Sequence, residues 1–305
     1  MQSKKIIIFI LFVISIFLIN NCSEKGPIGS KSNRIKMYFV PSMEAGKILN
    51  DAEKIAEMLN EETGYFFDVA VPISYAAVIE AMGTDEADIA WLPTFAYLLA
   101  NKKYGAEVGL TTIRNGLKKY RGQFVTKANS GIDSLKDIEG KIVAYTDAAS
   151  TSGHIFPSAT LAKKGIKPSK FFFAGGHPQA IISVYEGNAD VGCTFWSPSK
   201  EDGRIQDARY TVEDTYPDVR KKIKIVGYTD WIPNDTVTFR KNFPQEMQDE
   251  IVNALIKLSK TERGQKTFQD IYHIDGFYPS SDSTYDVVRE TLKTLGETAE
   301  KYLTG

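Results

Sequence analysis

The sequence predicts an α/β protein of two lobes, each a mostly parallel sheet flanked by helices, joined by two chain crossings. From Arg34 onward short apolar runs alternate with longer amphipathic ones, the pattern of strand-helix-strand units. The alternation restarts after Tyr120-Arg121-Gly122, and a short motif recurs in both halves. A chain of 305 residues also exceeds what a single core usually holds.

The first series reads as strand 35–40, helix 45–62, strand 66–71, helix 75–82, strand 88–91 and helix 94–102. The second reads as strand 123–126, strand 141–145, helix 151–164, strand 171–174, helix 178–186, strand 190–194 and a closing strand 224–227. After Trp231-Ile232-Pro233-Asn234-Asp235 three helical patterns follow, near 245–259, 261–272 and 283–302, with no new strand series to cover. They are expected to pack back on the first lobe. Lobe 1 is then 34–121 plus 233–305 and lobe 2 is 122–232, with crossings near residues 121 and 232. The recurring motif is Tyr75-Ala-Ala-Val-Ile-Glu running into Ala87-Asp88, against His177-Pro-Gln-Ala-Ile-Ile running into Ala189-Asp190. It predicts that Tyr75 and His177 start equivalent helices in the two lobes.

Residues 1–21 have the form of an export signal. Lys4 and Lys5 precede the run Ile6 to Ile19, in which Ser15 is the only polar residue. The run is shorter than the roughly 20 apolar residues a membrane-spanning helix needs. Cys22 stands where a lipoprotein signal places its lipid-modified cysteine, although Asn20 and Asn21 replace the usual small residues before it; an ordinary cleaved secretory peptide is the alternative. Residues 22–33 read as a flexible tether. The expected location is therefore outside the cytoplasm, in the periplasm or at the cell surface, tethered to a membrane by its lipid. Removing residues 1–21 shifts the formal charge from −1 to −3. Nucleic acid is not an expected partner, and the chain is expected to be monomeric. Neither Cys193 nor His154, His177 and His273 show metal-ligand spacing, so no metal or cofactor is expected.

The strongest local motif is Asp147-Ala-Ala-Ser150-Thr151-Ser152-Gly153, between an apolar strand and an apolar helix. Ser150 suits a helix N-cap, and three hydroxyls beside the positive end of a helix suit a tetrahedral oxyanion, where capping alone needs one. No nucleotide-binding glycine loop and no G-x-S-x-G turn is present. His177 follows Gly175-Gly176 and begins a helix, where it can donate to an anion or simply cap the helix. Asp235 lies at the return crossing. It is either a turn residue or the acceptor for a ligand that carries a proton, and in the second case it disfavours proton-free anions such as sulfate. A Ser-His hydrolase remains an alternative.

These motifs, in this order and spacing, resemble the phosphate/phosphite/phosphonate-binding family, the solute-binding components of phosphonate-type ABC transporters. The resemblance runs from about Ile35 into the C-terminal helices. It implies a type II periplasmic-binding-protein fold that closes on its ligand by hinge motion, a membrane permease and an ATPase as partners, and no enzymatic activity. It also implies Tyr75, Ser150, Thr151, Ser152, His177 and Asp235 as phosphoryl contacts, with Tyr120 as a second tyrosine. Relatives that hold an amine place a carboxylate after the strand matching 190–194. Phe195-Trp196-Ser197 stands there instead, which points away from an amine and to a small oxyanion or an apolar substituent on phosphorus, with Glu201 and Asp202 nearby as substitutes. Another solute, such as a thiamine phosphate or an organic acid, would need a larger cleft walled by residues such as Trp91, Tyr97, Trp196 and Trp231.

Overall fold

The structure is a computed structural model, and it describes residues 26–199 and 206–296. Cys22, the signal segment, Glu201, Asp202 and Tyr302 lie outside the described residues. The first lobe opens with β1 (Ile35–Phe39), α1 (Ala45–Thr63), β2 (Phe67–Ala70), α2 (Tyr75–Gly83), β3 (Ile89–Leu92) and α3 (Thr94–Tyr104). In α1 the residues Ile48, Ala52, Ile55 and Leu59 recur at helical spacing and are fully buried, and Gly64 ends the helix in the left-handed conformation. β4 (Glu107–Arg114) then leads to β5 (Lys119–Lys127), which belongs to the other lobe.

Lobe 2 continues with β6 (Ile142–Tyr145), a π-helical turn Thr151–Ile155 running into α4 (Phe156–Lys163), β7 (Lys170–Phe173), α5 (His177–Glu186), β8 (Val191–Trp196), α6 (Val219–Lys222) and β9 (Ile223–Pro233). β10 (Thr236–Phe239) returns to lobe 1, followed by α7 (Gln245–Leu258), α8 (Glu262–Tyr272), β11 (Ile274–Pro279) and α9 (Asp286–Lys293).

The strand orders are β11-β4-β10-β3-β1-β2 and β7-β6-β8-β5-β9. Both sheets thus carry the same parallel trio, β2-β1-β3 and β7-β6-β8, followed by antiparallel strands. The sheets are mixed rather than mostly parallel, because each crossing strand enters its lobe from the hinge end and runs against the trio.

The recurrent motif is structural. Asp88 N–H donates to Lys36 O at 2.9 Å while its carboxylate accepts from Lys36 N–H at 2.9 Å. Asp190 repeats this with Ile142, at 3.0 and 2.9 Å. Tyr75 and His177 are the first residues of α2 and α5, the helices that lead to the equivalent strands β3 and β8.

Three strands escaped the sequence reading. β4 carries buried Thr111 and Thr112, which read as loop, and β11 contains Asp275-Gly276, a turn signal that here sits at a register shift. β10, with all four residues buried, was hidden behind the turn residues 233–235. The terminal elements are also more than a cover for lobe 1: Val288 and Leu292 of α9 join a cluster with Ile155 and Phe156 of lobe 2. Residues 26–33 are not an open tether. Gly29 O accepts from Phe66 N–H at 2.8 Å, Asn33 Nδ2 donates to Gly26 O at 2.9 Å, and Ile28 packs on the lobe 1 core.

Candidate functional site

The crossings are residues 115–118 and 234–235, and Asn234 stitches them together. Its Nδ2 donates to Thr112 O at 3.1 Å and Leu117 O at 2.8 Å, and its N–H donates to Lys118 O. Beside this hinge the lobes touch. His177 N–H donates to Ser42 O at 3.1 Å, and Thr151 Oγ1 accepts from Phe95 N–H at 2.8 Å while bonding Thr94 Oγ1 at 3.1 Å. Asp147, whose carboxylate accepts from Ala149 N–H, also meets the Tyr75 N–H.

Between these contacts lies a cavity of about 50 Å³. That is room for on the order of four waters, or one tetrahedral oxyanion. Of the residues singled out from the sequence, Tyr75, Tyr120, Ser150, Ser152, His177 and Asp235 line it.

The three hydroxyls of 150–152 divide their work. Ser150 Oγ caps its own helix by accepting from Gly153 N–H at 3.1 Å. Thr151 is fully buried, does not line the cavity, and caps the start of α3 across the lobe boundary. Ser152 lines the cavity beside the Tyr120 hydroxyl. The N–H groups of Thr151 and Ser152, in the first turn, have no carbonyl behind them within the helix to bond. With the helix dipole they give this wall a positive, donating character.

Arg114 lines the cavity, as do Asn115, Gln206, Tyr210 and Tyr272, and none of these stood out in the sequence; Arg114 was hidden because the strand carrying it went unrecognised. Its Nη2 lies 2.8 Å from Asp235 Oδ2, and its guanidinium stacks on Tyr272 with the carbon 5.6 Å from the ring centre. Burial opposes its charge, but Asp235 and the facing Tyr120 more than offset this and hold it protonated. Trp91 was read as a core or a wall residue. It is both, stacking on Phe39 and Phe268 and reaching the cavity. Several buried polar atoms on cavity-lining residues have no partner: Trp91 Nε1, Arg114 Nε, Asn115 Oδ1, Gln206 Oε1 and Asp235 Oδ1. Unpaired buried polar atoms are costly, and five of them on residues that line one small space mark it as a site suited to a polar ligand.

Burial first, then Arg114, pushes His177 down to about 3, so the ring is neutral. Burial raises Tyr75 and Tyr120 well above the usual phenol range, so both remain hydroxyls. Arg114 and Asp235 balance each other, and the cavity carries donors and acceptors without a large net charge. Among the described residues no serine hydroxyl is hydrogen-bonded to His177, whose Nδ1 is taken by Thr146 at 3.2 Å. The nucleophile-base contact of a Ser-His hydrolase is therefore not formed. Of the other aromatic residues considered as walls, Tyr97 is buried against Tyr285, and Trp196 and Trp231 gather with Tyr228 around Arg121 away from the cavity.

Two α/β lobes of matching topology, a two-stranded hinge and a small cavity between them with polar groups on its walls define a solute-binding protein of the type II periplasmic class. Residues 37–285 match the sequence model of the ABC transporter, phosphonate, periplasmic substrate-binding protein family. The chain belongs to that family, whose members bind substrates for transporters and are not enzymes.

It is 24% identical over 288 residues, 86% of each chain, to the phosphate-import protein PhnD of Mycolicibacterium smegmatis. Its fold matches a binding component of an ABC phosphonate transporter from Pseudomonas aeruginosa with a TM-score of 0.76, at 20% identity, covering 91% of this chain and 93% of the other. It likewise matches a PhnD protein from Prochlorococcus marinus in complex with methylphosphonate, with a TM-score of 0.74, at 16% identity, covering 86% and 97%.

Proposed function

We propose that the protein captures a small phosphorus oxyanion (phosphonate, phosphite or phosphate) between its lobes and hands it to the permease and ATPase of an ABC importer. The observation that carries this reading is the cavity of about 50 Å³ with unpaired polar atoms on its walls. Its size suits a tetrahedral oxyanion and leaves no space for a thiamine phosphate in this closed arrangement. The donors Ser152, Tyr75, Tyr120, Trp91 and the first-turn N–H groups suit the oxyanion's oxygens, and Asp235 Oδ1 suits a protonated one. Relatives named for phosphate import and solved with methylphosphonate support the ligand class. A calorimetric panel of methylphosphonate, phosphite, phosphate and sulfate tests it. Binding of at least one phosphorus oxyanion, with sulfate excluded, is expected; a preference for sulfate would overturn the reading.

The same proposal includes a monomeric receptor attached through lipid on Cys22. Gly26, the first described residue, is four residues on from Cys22, and four residues span at most about 14 Å. Such a short link keeps the start of lobe 1 close to the membrane. Mass spectrometry of the mature N-terminus distinguishes acylated Cys22 from a free end.

A further inference from the structure

We propose that His177 faces the ligand as a hydrogen-bond acceptor through Nε2, and that the cleft therefore selects the protonated monoanion of its ligand over the dianion. This rests on the proposed oxyanion function and specifies the form of the ligand.

Thr146 sets the ring's protonation. Its hydroxyl is 3.0 Å from Cys193 O, a carbonyl that can only accept, so the single hydroxyl proton is committed there. The same Oγ1 is 3.2 Å from His177 Nδ1. With its own proton already given, Thr146 can only accept, and Nδ1 must carry the hydrogen. A neutral imidazole protonated on Nδ1 presents a lone pair at Nε2. His177 lines the cavity, and among the described residues its ring is hydrogen-bonded through Nδ1, to Thr146, which leaves Nε2 for a ligand.

The surroundings fix this arrangement. Thr146 N–H donates to Gly153 O at 3.1 Å, and a Cβ on Gly153 would fall 2.1 Å from Thr146 Oγ1. The glycine of the 150–153 motif is therefore what lets the loop close over Thr146. Phe195 packs edge-on against the imidazole with ring centres 4.8 Å apart. Burial and the Arg114 charge oppose a second proton on the ring.

Asp235 Oδ1 is a further unpartnered acceptor on the wall of the same small cavity, as are the amide oxygens of Asn115 and Gln206, and of these it is the one that carries negative charge. A dianion places bare oxygens against Nε2 and Oδ1, whereas a ligand hydroxyl satisfies one of them. Arg114 does not reverse the preference, because its charge is matched by Asp235 at 2.8 Å. The other titratable groups on the cavity wall are the hydroxyls of Tyr75, Tyr120, Tyr210 and Tyr272, kept un-ionised by burial, and His273, which packs edge-on against Tyr210.

Two measurements on the full chain test this. Long-range proton-nitrogen correlation spectra of the ¹⁵N-labelled, ligand-free protein are expected to show Nδ1 protonated and Nε2 bare on His177; the opposite tautomer or a doubly protonated ring overturns the inference. Calorimetry with methylphosphonate from about pH 6 to about pH 9 is expected to show the apparent Kd rising about tenfold per pH unit above the ligand's second ionisation. A Kd that is flat or falls with pH overturns the selection. The slope is expected to survive in His273→Gln and to flatten in Thr146→Val; the reverse pattern removes the role from His177 and Thr146. If methylphosphonate, phosphite and phosphate all fail to bind at any pH, the proposed function itself falls, while the ring spectra still decide the tautomer.

Discussion

Arg114 ends β4 just before one crossing and Asp235 stands on the other, and their pairing decides what charge the cleft holds. Asp235→Asn replaces one accepting carboxylate oxygen with an amide donor and removes half of the ion pair, and is expected to weaken ligand binding by about 1 to 3 kcal/mol, measured by calorimetry. Arg114→Met leaves Asp235 as an unpaired carboxylate in a small cavity, which is expected to cost more, about 2 to 5 kcal/mol. Equal, negligible effects of the two substitutions would place the ligand elsewhere. Asp235 stood out in the sequence as either a turn residue or an acceptor, and its position on the cavity wall with Oδ1 unpartnered favours the second. Arg114 did not stand out, since its neighbours Thr111 and Thr112 hide a strand from any pattern of alternating polarity. The apparent equivalence of Ser150, Thr151 and Ser152 in sequence also dissolves in three dimensions, since Thr151 bonds across the lobe boundary while Ser150 and Ser152 line the cavity.

Thr151 gives the element scale its sharpest test. If it caps α3 of the opposite lobe rather than touching ligand, Thr151→Val removes one interlobe hydrogen bond and leaves the cavity wall intact. Affinity is expected to fall by about tenfold or less, through a less stable closed form. A loss beyond about a thousandfold in calorimetry would instead make it a direct contact. Gly153→Ala acts on the same π turn, placing a methyl 2.1 Å from Thr146 Oγ1. Binding is expected to be abolished while the far-ultraviolet circular dichroism persists. The parallel trios and the helices between them were legible because apolar runs and helix-length patterns alternate there without interruption. The antiparallel strands were not, because β11 carries an Asp-Gly turn signal and β10 begins directly after the 233–235 turn residues. Those strands depend on partners distant in the chain, and local pattern does not report them.

For the molecule as a whole, two neutral buried imidazoles tie stability to pH. His177 is held down to about 3 and His154 to about 4, in each case chiefly by burial. An unfolded histidine titrates near 6.5, so between about pH 6.5 and about pH 4 the unfolded chain binds more protons than the folded one. Folding stability is therefore fully present above about pH 6.5 and falls as the pH drops through that window. Denaturant titrations at pH 7 and pH 5 are expected to differ by on the order of a few kcal/mol in favour of pH 7. Equal stability at both would mean that the imidazoles are solvated.

The two-lobed plan was readable because Ala87-Asp88 and Ala189-Asp190 pin the same strand edge in each lobe. The closeness of the lobes, and hence the size of the cavity, was not, because it depends on contacts such as His177 N–H to Ser42 O that join distant segments.

Calorimetry of the wild-type chain with methylphosphonate, phosphite and phosphate against sulfate, near pH 7, bears most directly on the whole account. At least one phosphorus oxyanion should bind about ten- to a hundredfold more tightly than sulfate, the consequence of leaving the Asp235 acceptor unsatisfied. Sulfate binding as tightly as the best phosphorus ligand would contradict it.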